Sequence, residues 1–260
     1  MTESKTTTSA GNTTIDSMFK AGAHFAFGKA RRHPTVSPYI FGIKNKVEIF
    51  DLEKTQVLLK AACAFVENLA KEGKQLLLVG GKSEARAAVR NAAEMIAMPF
   101  VDGRWIGGTL TNFGQIKKRV EKFERLTMER EKGELVKYTK KERLLIDREI
   151  ANLDRFFSGI VSMKDLPKAI LIVDPKKEYT AVKEAQDLGI TVISLAGSDC
   201  DISTIQYPIV GNDSSKSSIE FFLGEIVKAY NAGKALAKAA APAVSAMNES
   251  KGPIITASKN

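Results

Sequence analysis

The chain has few of the residues on which most catalytic and metal chemistry depends. Its 260 residues include two cysteines, two histidines and one tryptophan. Cys63 and Cys200 stand far apart with no Cys-x-x-Cys spacing, which excludes a disulfide framework and a cysteine zinc site; both read as free thiols. His24 and His33 have no partner at ligand spacing, so no metal or cofactor is expected. No apolar run approaches the roughly 18 residues of a spanning helix, and the Ser/Thr-rich start, Met1 to Asn12, has no apolar signal core. A cytoplasmic protein without a membrane partner is expected.

Enzyme motifs occur only as fragments. Gly80-Gly81-Lys82-Ser83 follows the apolar run Leu76 to Val79, but a phosphate-cradling loop of the G-x-x-x-x-G-K-[ST] type needs glycine at position 76, where this chain has Leu. Gly81-Lys82-Ser83-Glu84-Ala85 resembles a nucleophile elbow, yet both histidines precede the serine, the wrong order for an α/β-hydrolase. On this reading Lys82→Ala should leave folding unaltered. Asp51 and Asp174 fall at expected carboxyl ends of strands, where doubly wound folds place ligands; helix capping explains both more simply. The alternative is an enzyme that binds a nucleotide in that crevice.

Positive charge is what the chain has in excess. Lys and Arg exceed Asp and Glu by nine, a balance whose usual partners are nucleic acid or anionic membrane. Short β-branched runs alternate with amphipathic segments: Val47 to Phe50 then Glu53 to Lys71, Gln75 to Val79 then Ser83 to Ala97, and Phe100-Val101 before a helix near Asn112. The rhythm resumes with Ala169 to Val173, Tyr179 to Leu188, Thr191 to Leu195, Tyr207 to Val210 and a helix from about Ser218 to Ala232. Such a βα repeat predicts a parallel sheet covered by helices on both faces. Asp174-Pro175 reads as a helix start and Ser217-x-x-Glu220 as a capping box.

One segment breaks the rhythm. Ile116, Val120, Phe123 and Leu126, then Ile146, Ile150, Leu153 and Phe157, form two stripes at coiled-coil spacing around Gly133, with a capping box at Thr139-x-x-Glu142. The expected organisation is a polar tail over 1–14, an α/β domain over 15–110 and 159–233, an antiparallel helical hairpin inserted at 111–158, and a second tail over 234–260.

Two constellations carry contact chemistry. Gly103-Arg104-Trp105-Ile106-Gly107-Gly108-Thr109-Leu110-Thr111-Asn112 joins the only tryptophan to an arginine and a glycine pair, with Thr109 or Thr111 available to cap the next helix. Trp beside Arg suits a stacking or phosphate surface, although a lone Trp also serves as a core or interface filler. Lys29-Ala30-Arg31-Arg32-His33-Pro34, with Lys44 and Lys46 flanking the first strand, places cations on Gly- and Pro-bounded loops that can meet phosphates at fixed positions.

The chain resembles the family of protein two of the bacterial small ribosomal subunit. The resemblance rests on Met18 to Phe25, Arg31-Arg32, Pro38 to Gly42, Val47 to Thr55, Arg104 to Asn112, Leu166 to Ile170 through Asp174, and Tyr207 to Asp213, all in one order over about residues 15 to 232. It departs at Ala26-Phe27-Gly28-Lys29-Ala30, at His33 where Trp is common, at Ser83 where Arg is usual, and at Ser214 where the family carries an acidic residue. The resemblance implies a flavodoxin-like or Rossmann-like doubly wound α/β sheet with an inserted antiparallel helical hairpin and no catalysis. It also implies binding to small-subunit ribosomal RNA, with neighbouring ribosomal proteins and the OB-repeat messenger-binding ribosomal protein as partners. The RNA-contact residues expected on this basis are Lys29, Arg31, Arg32, His33, Lys44, Lys46, Lys82, Arg86, Arg104 and Trp105.

Overall fold

A computed structural model describes residues 8–248. Its first helix, α1 (Thr8–Lys20), leads into an antiparallel pair, β1 (Ile40–Lys44) and β2 (Val47–Phe50). The main body alternates α2 (Leu52–Lys71), β3 (Leu76–Val79), α3 (Ser83–Ile96) and β4 (Phe100–Val101). Two long helices follow, α4 (Phe113–Glu131) and α5 (Lys140–Phe157). The body then resumes with β5 (Ala169–Val173), α6 (Tyr179–Asp187), β6 (Thr191–Ala196), β7 (Tyr207–Val210) and α7 (Lys216–Asn248).

The sheet is wholly parallel, in the order β4-β3-β5-β6-β7. Counted along the chain, its strands lie as second, first, third, fourth and fifth, which is the flavodoxin-like arrangement. Because strand side chains alternate, Leu76 and Leu78 face one core with Leu59, Val66, Val89 and Ile226 of the covering helices. Leu77 and Val79 face the other, with Val182, Ala185, Trp105 and Phe157. The uninterrupted apolar strands are therefore buried on both sides, as a helix-covered parallel sheet requires.

The antiparallel pair departs from the expected repeat. Val47 to Phe50 belongs to a separate two-stranded sheet, and its partner Ile40–Lys44 was not legible as a strand because most of its residues are exposed on both faces. Asn45 and Lys46 make the turn with φ of 51° and 65°, the positive values that a tight hairpin of matching twist demands.

Both apolar stripes of the helical pair are buried or half-buried in a common seam, and Thr139 and Glu142 form the reciprocal cap at the start of α5. Other boundaries move. Asn112 occupies the cap position of α4 without a side-chain bond; Thr109 instead donates to the Ile106 carbonyl at 2.6 Å and Thr111 to Glu184 at 3.3 Å. Helix α7 begins at Lys216, so Ser217 sits inside its first turn instead of ahead of it. Helix also covers part of both segments read as tails, from Thr8 and as far as Asn248. The alanines after Gly233 favour helix even without a continuous apolar stripe. Gly233 itself lets α7 approach α2, since a Cβ there would lie 2.2 Å from the Glu67 carbonyl oxygen.

Candidate nucleic-acid interface

The basic loop is built as an extension of the small sheet. Phe50 N–H donates to the His24 carbonyl at 2.8 Å, Ala26 N–H to Glu48 at 3.0 Å, and Glu48 N–H to Phe27 at 3.3 Å, so residues 24–27 run along β2. The loop is also stitched to the end of β6: Phe27 N–H donates to Ser198 Oγ at 3.0 Å and His33 N–H to the Ser198 carbonyl at 2.8 Å. A Cβ on Gly28 would sit 3.2 Å from the Lys46 carbonyl oxygen, which places the loop directly against the β1–β2 turn.

Two expected contact residues also help to hold this platform. Arg32 Nη1 donates to Glu48 Oε1 at 2.9 Å, and Glu48 is completely buried. Removing Arg32 would leave that carboxylate uncompensated, a change that costs on the order of 3 kcal/mol when the pair is buried and less for a partly exposed guanidinium. His33 Nδ1 lies 2.8 Å from Thr35 Oγ1 and caps the short turn at Pro34. Lys29, Arg31, Lys44 and Lys46 are exposed instead, with the Arg31 guanidinium 5.7 Å from the Phe27 ring centroid in cation–π geometry.

At the carboxyl end of the main sheet, the place where this fold receives ligands in other proteins is filled by the chain itself. Lys82 Nζ donates to Asp174 at 3.2 Å, Asp213 at 3.1 Å and Ser214 Oγ at 3.2 Å. Burial works against the Lys82 charge, and Asp213 with Asp174 outweighs it, raising its pKa above the ordinary value. Lys82 is thus a clamp between strand ends, not a part of an open basic surface. Its loss would strand Asp213, which is 2% exposed and whose carboxyl is already pushed up by burial. The expectation that Lys82→Ala spares folding is corrected accordingly.

Nearby, ligand atoms of Asp174, Cys200 and Asp213 lie within 4.8 Å of one another, with the Lys82 ammonium on both carboxylates. Burial and Asp174 push the Cys200 thiol far up, and burial pushes the Cys63 thiol up to about 11, so both remain protonated at neutral pH. Gly81 packs closely against the neighbouring segments, since a Cβ there would meet the Gly103 carbonyl oxygen at 2.5 Å and Glu178 at 2.6 Å. Asp51 caps α2 by accepting from the Glu53 and Lys54 amides; Asp174 accepts from the Lys177 amide in the turn before α6.

Trp105 is also internal. It is 7% exposed and its indole donates to Glu184 Oε1 at 3.1 Å, so the ring packs in the core and offers no stacking face. The same carboxylate accepts from the amides of Gly108 at 2.8 Å, Leu110 at 3.0 Å and Thr111 at 3.2 Å. Burial works to raise the Glu184 pKa, and the Trp105 indole with these amides overcomes it, holding the carboxyl below its usual range. Arg104, next in the chain, is exposed. Arg86 is exposed too and lines a shallow hollow with Arg90, Gly103 and Arg155.

Glu48 and Glu184 are the organising residues that sequence reasoning missed. Each carried a signal: Glu184 shares the buried face of α6 with Ala181 and Ala185, and Glu48 points inward with Phe50 on β2. An acid on an apolar face needs donors brought to it.

The family model for ribosomal protein S2 matches residues 18–233. The small ribosomal subunit protein uS2 of Sulfurimonas denitrificans is 41% identical over 223 residues, 86% of each chain. That of Nitratiruptor sp. is 39% identical over 223 residues, covering 86% of this chain and 84% of the relative. With the parallel sheet and the plugged crevice, these matches show that the chain belongs to the ribosomal protein S2 family.

Proposed function

We propose that the chain is a non-enzymatic structural constituent of the small ribosomal subunit that holds ribosomal RNA on its fixed loop cations. The observation that carries this reading is the division of the basic cluster into anchors and contacts. Arg32 ties the loop to Glu48 of β2 and His33 caps its turn, while Lys29 and Arg31 on the loop and Lys44 and Lys46 on the adjoining hairpin face solvent. Cations held this way meet phosphates with little further ordering cost, which suits positioning of RNA without base readout. Arg86 and Arg104 form a second set of exposed cations.

In this reading the helical pair over 111–158 is an insertion that docks neighbouring ribosomal proteins, the OB-repeat messenger-binding protein among them. Its tip supports a contact role: Met128, Val136, Leu144 and Leu145 are more than half exposed. Residence in the cytoplasm follows from the ribosomal role, and no helix among the described residues is long and apolar enough to cross a membrane.

The experiment is sedimentation of the tagged chain through a gradient of cell lysate. Co-migration with small subunits that is lost on combined Arg31→Ala, Lys44→Ala and Lys46→Ala substitution supports the proposal. Migration as a free protein, or unchanged co-migration of the triple variant, refutes the assignment of these contacts.

A further inference from the structure

The cationic loop is fastened from beneath, and these fastenings lead back to Lys82. Phe27 and His33, which bracket Lys29 and Arg31, both donate their amides to Ser198, at 3.0 Å to its hydroxyl and 2.8 Å to its carbonyl. Asn212 holds the entry to the loop: its amide donates to the Ala23 carbonyl at 3.0 Å and its Nδ2 to the Gly22 carbonyl at 2.9 Å. Ser198 follows β6 and Asn212 follows β7, so the loop rests on two strand-end segments of the main sheet.

Those two segments meet on one carboxylate. Asp213 is 2% exposed and adjoins Asn212, and a Cβ on Gly197 would lie 2.6 Å from its Oδ1, so the chain just before Ser198 rests on it. Lys82 Nζ donates to Asp213 at 3.1 Å and to the Ser214 hydroxyl at 3.2 Å, and the Ser214 amide donates in turn to Asn212 Oδ1 at 2.9 Å. A buried carboxylate deprived of its cation is drawn toward water. Asp213 cannot follow that pull without displacing Gly197 and Asn212, its packed and bonded neighbours. Pairing along β2 and the Arg32–Glu48 bond hold the loop's other side, so loss of Lys82 would loosen the loop without releasing it.

We infer that Lys82 is a positioning residue for RNA binding, one that touches no RNA and acts through Asp213, Asn212 and Ser198 on the placement of Lys29 and Arg31. The inference rests on the RNA-binding reading above and adds to it the residue that keeps those contacts in place. A loop that is ordered about a tenth of the time binds about 10-fold more weakly, because the apparent Kd is the intrinsic one divided by the competent fraction.

The test compares the full-length parent with Lys82→Met and Ser198→Ala, each at a temperature where it is folded. Without RNA, amide exchange over residues 22–34 should speed up about 10-fold in Lys82→Met. A merely global loss of stability would speed the core strands β3 and β5, which exchange through unfolding, and leave this loop at the parent rate. With small-subunit ribosomal RNA, filter binding should show both variants about 10-fold weaker at every salt concentration, with the parent's salt slope, since no phosphate contact is removed. Parent-rate exchange over 22–34 in Lys82→Met, or parent affinity in Ser198→Ala, overturns the coupling. A salt slope lower by about one unit for Lys82→Met makes it a direct contact and overturns it as well. Failure of the parent chain to bind the RNA overturns the RNA reading and this inference together, whereas intact parent binding with any of the contrary results above sinks the inference alone.

Discussion

Lys46 and Lys82 both sit just beyond an apolar strand or in its turn, and they meet opposite fates. Lys46 occupies a hairpin turn at positive φ and is exposed. Lys82 follows Gly80-Gly81, has a side chain only 15% exposed, and bonds two carboxylates and a hydroxyl. The difference comes from what lies across from each. The β1–β2 turn faces solvent, whereas the end of β3 faces Asp174 after β5 and Asp213 after β7. A basic residue at a strand end is therefore left exposed only where the fold places no acid opposite it.

The largest expected effect would break the comparison at its buried end. Lys82→Ala leaves Asp174 and Asp213 facing each other without their cation; for a partly shielded pair the cost should be about 2–4 kcal/mol, read as a lower urea midpoint. Lys46→Ala should stay within about 0.5 kcal/mol of the parent in the same assay. Equal midpoints for the two variants would remove the distinction.

Next in size is the Glu184 hub. Glu184→Ala leaves the Trp105 indole and three amides without their acceptor, and a loss of roughly 2–3 kcal/mol is expected. The single tryptophan reports it directly, as a red shift of emission when water reaches the ring. The folded pKa of Glu184 is depressed, so its contribution is present above the unfolded value of about 4.3 and is lost as pH falls through the folded value. Acidification below about pH 4 should thus shift the parent's emission, and Glu184→Gln should flatten that response. A pH-independent spectrum in the parent would contradict the assigned role.

A smaller effect separates two adjacent arginines. Arg31→Ala should lower the salt slope of RNA binding by about one unit with stability intact, whereas Arg32→Ala should lower the stability of the loop platform through Glu48. The smallest change is expected from replacing Lys251 and Lys259, which lie outside the described residues and stand apart in sequence from both clusters of loop cations.

The strands of the main sheet, and its helices apart from α7, were legible to within a residue or two, since uninterrupted runs such as Leu76 to Val79 announce burial on both faces, whereas α7 runs on to Asn248, well past the expected end near Ala232. The family motifs led to the same family. The strand Ile40–Lys44 was hidden because exposure on both faces erases the period. At the interface, residue type was legible and partnership was not. Nothing local in Arg32, Lys82 or Trp105 announces Glu48, Asp213 or Glu184, which are brought to them from distant positions or another strand of the fold.

The account stands most directly on one series of filter-binding titrations with small-subunit ribosomal RNA, run on folded parent, Arg31→Ala, Lys46→Ala and Lys82→Met chains across several salt concentrations. It predicts that the slope of affinity against salt falls by about one unit for Arg31→Ala and for Lys46→Ala and stays at the parent value for Lys82→Met. An equal fall for all three variants would show that the chain binds RNA by total charge, and would contradict the claim that the fold selects which cations touch it.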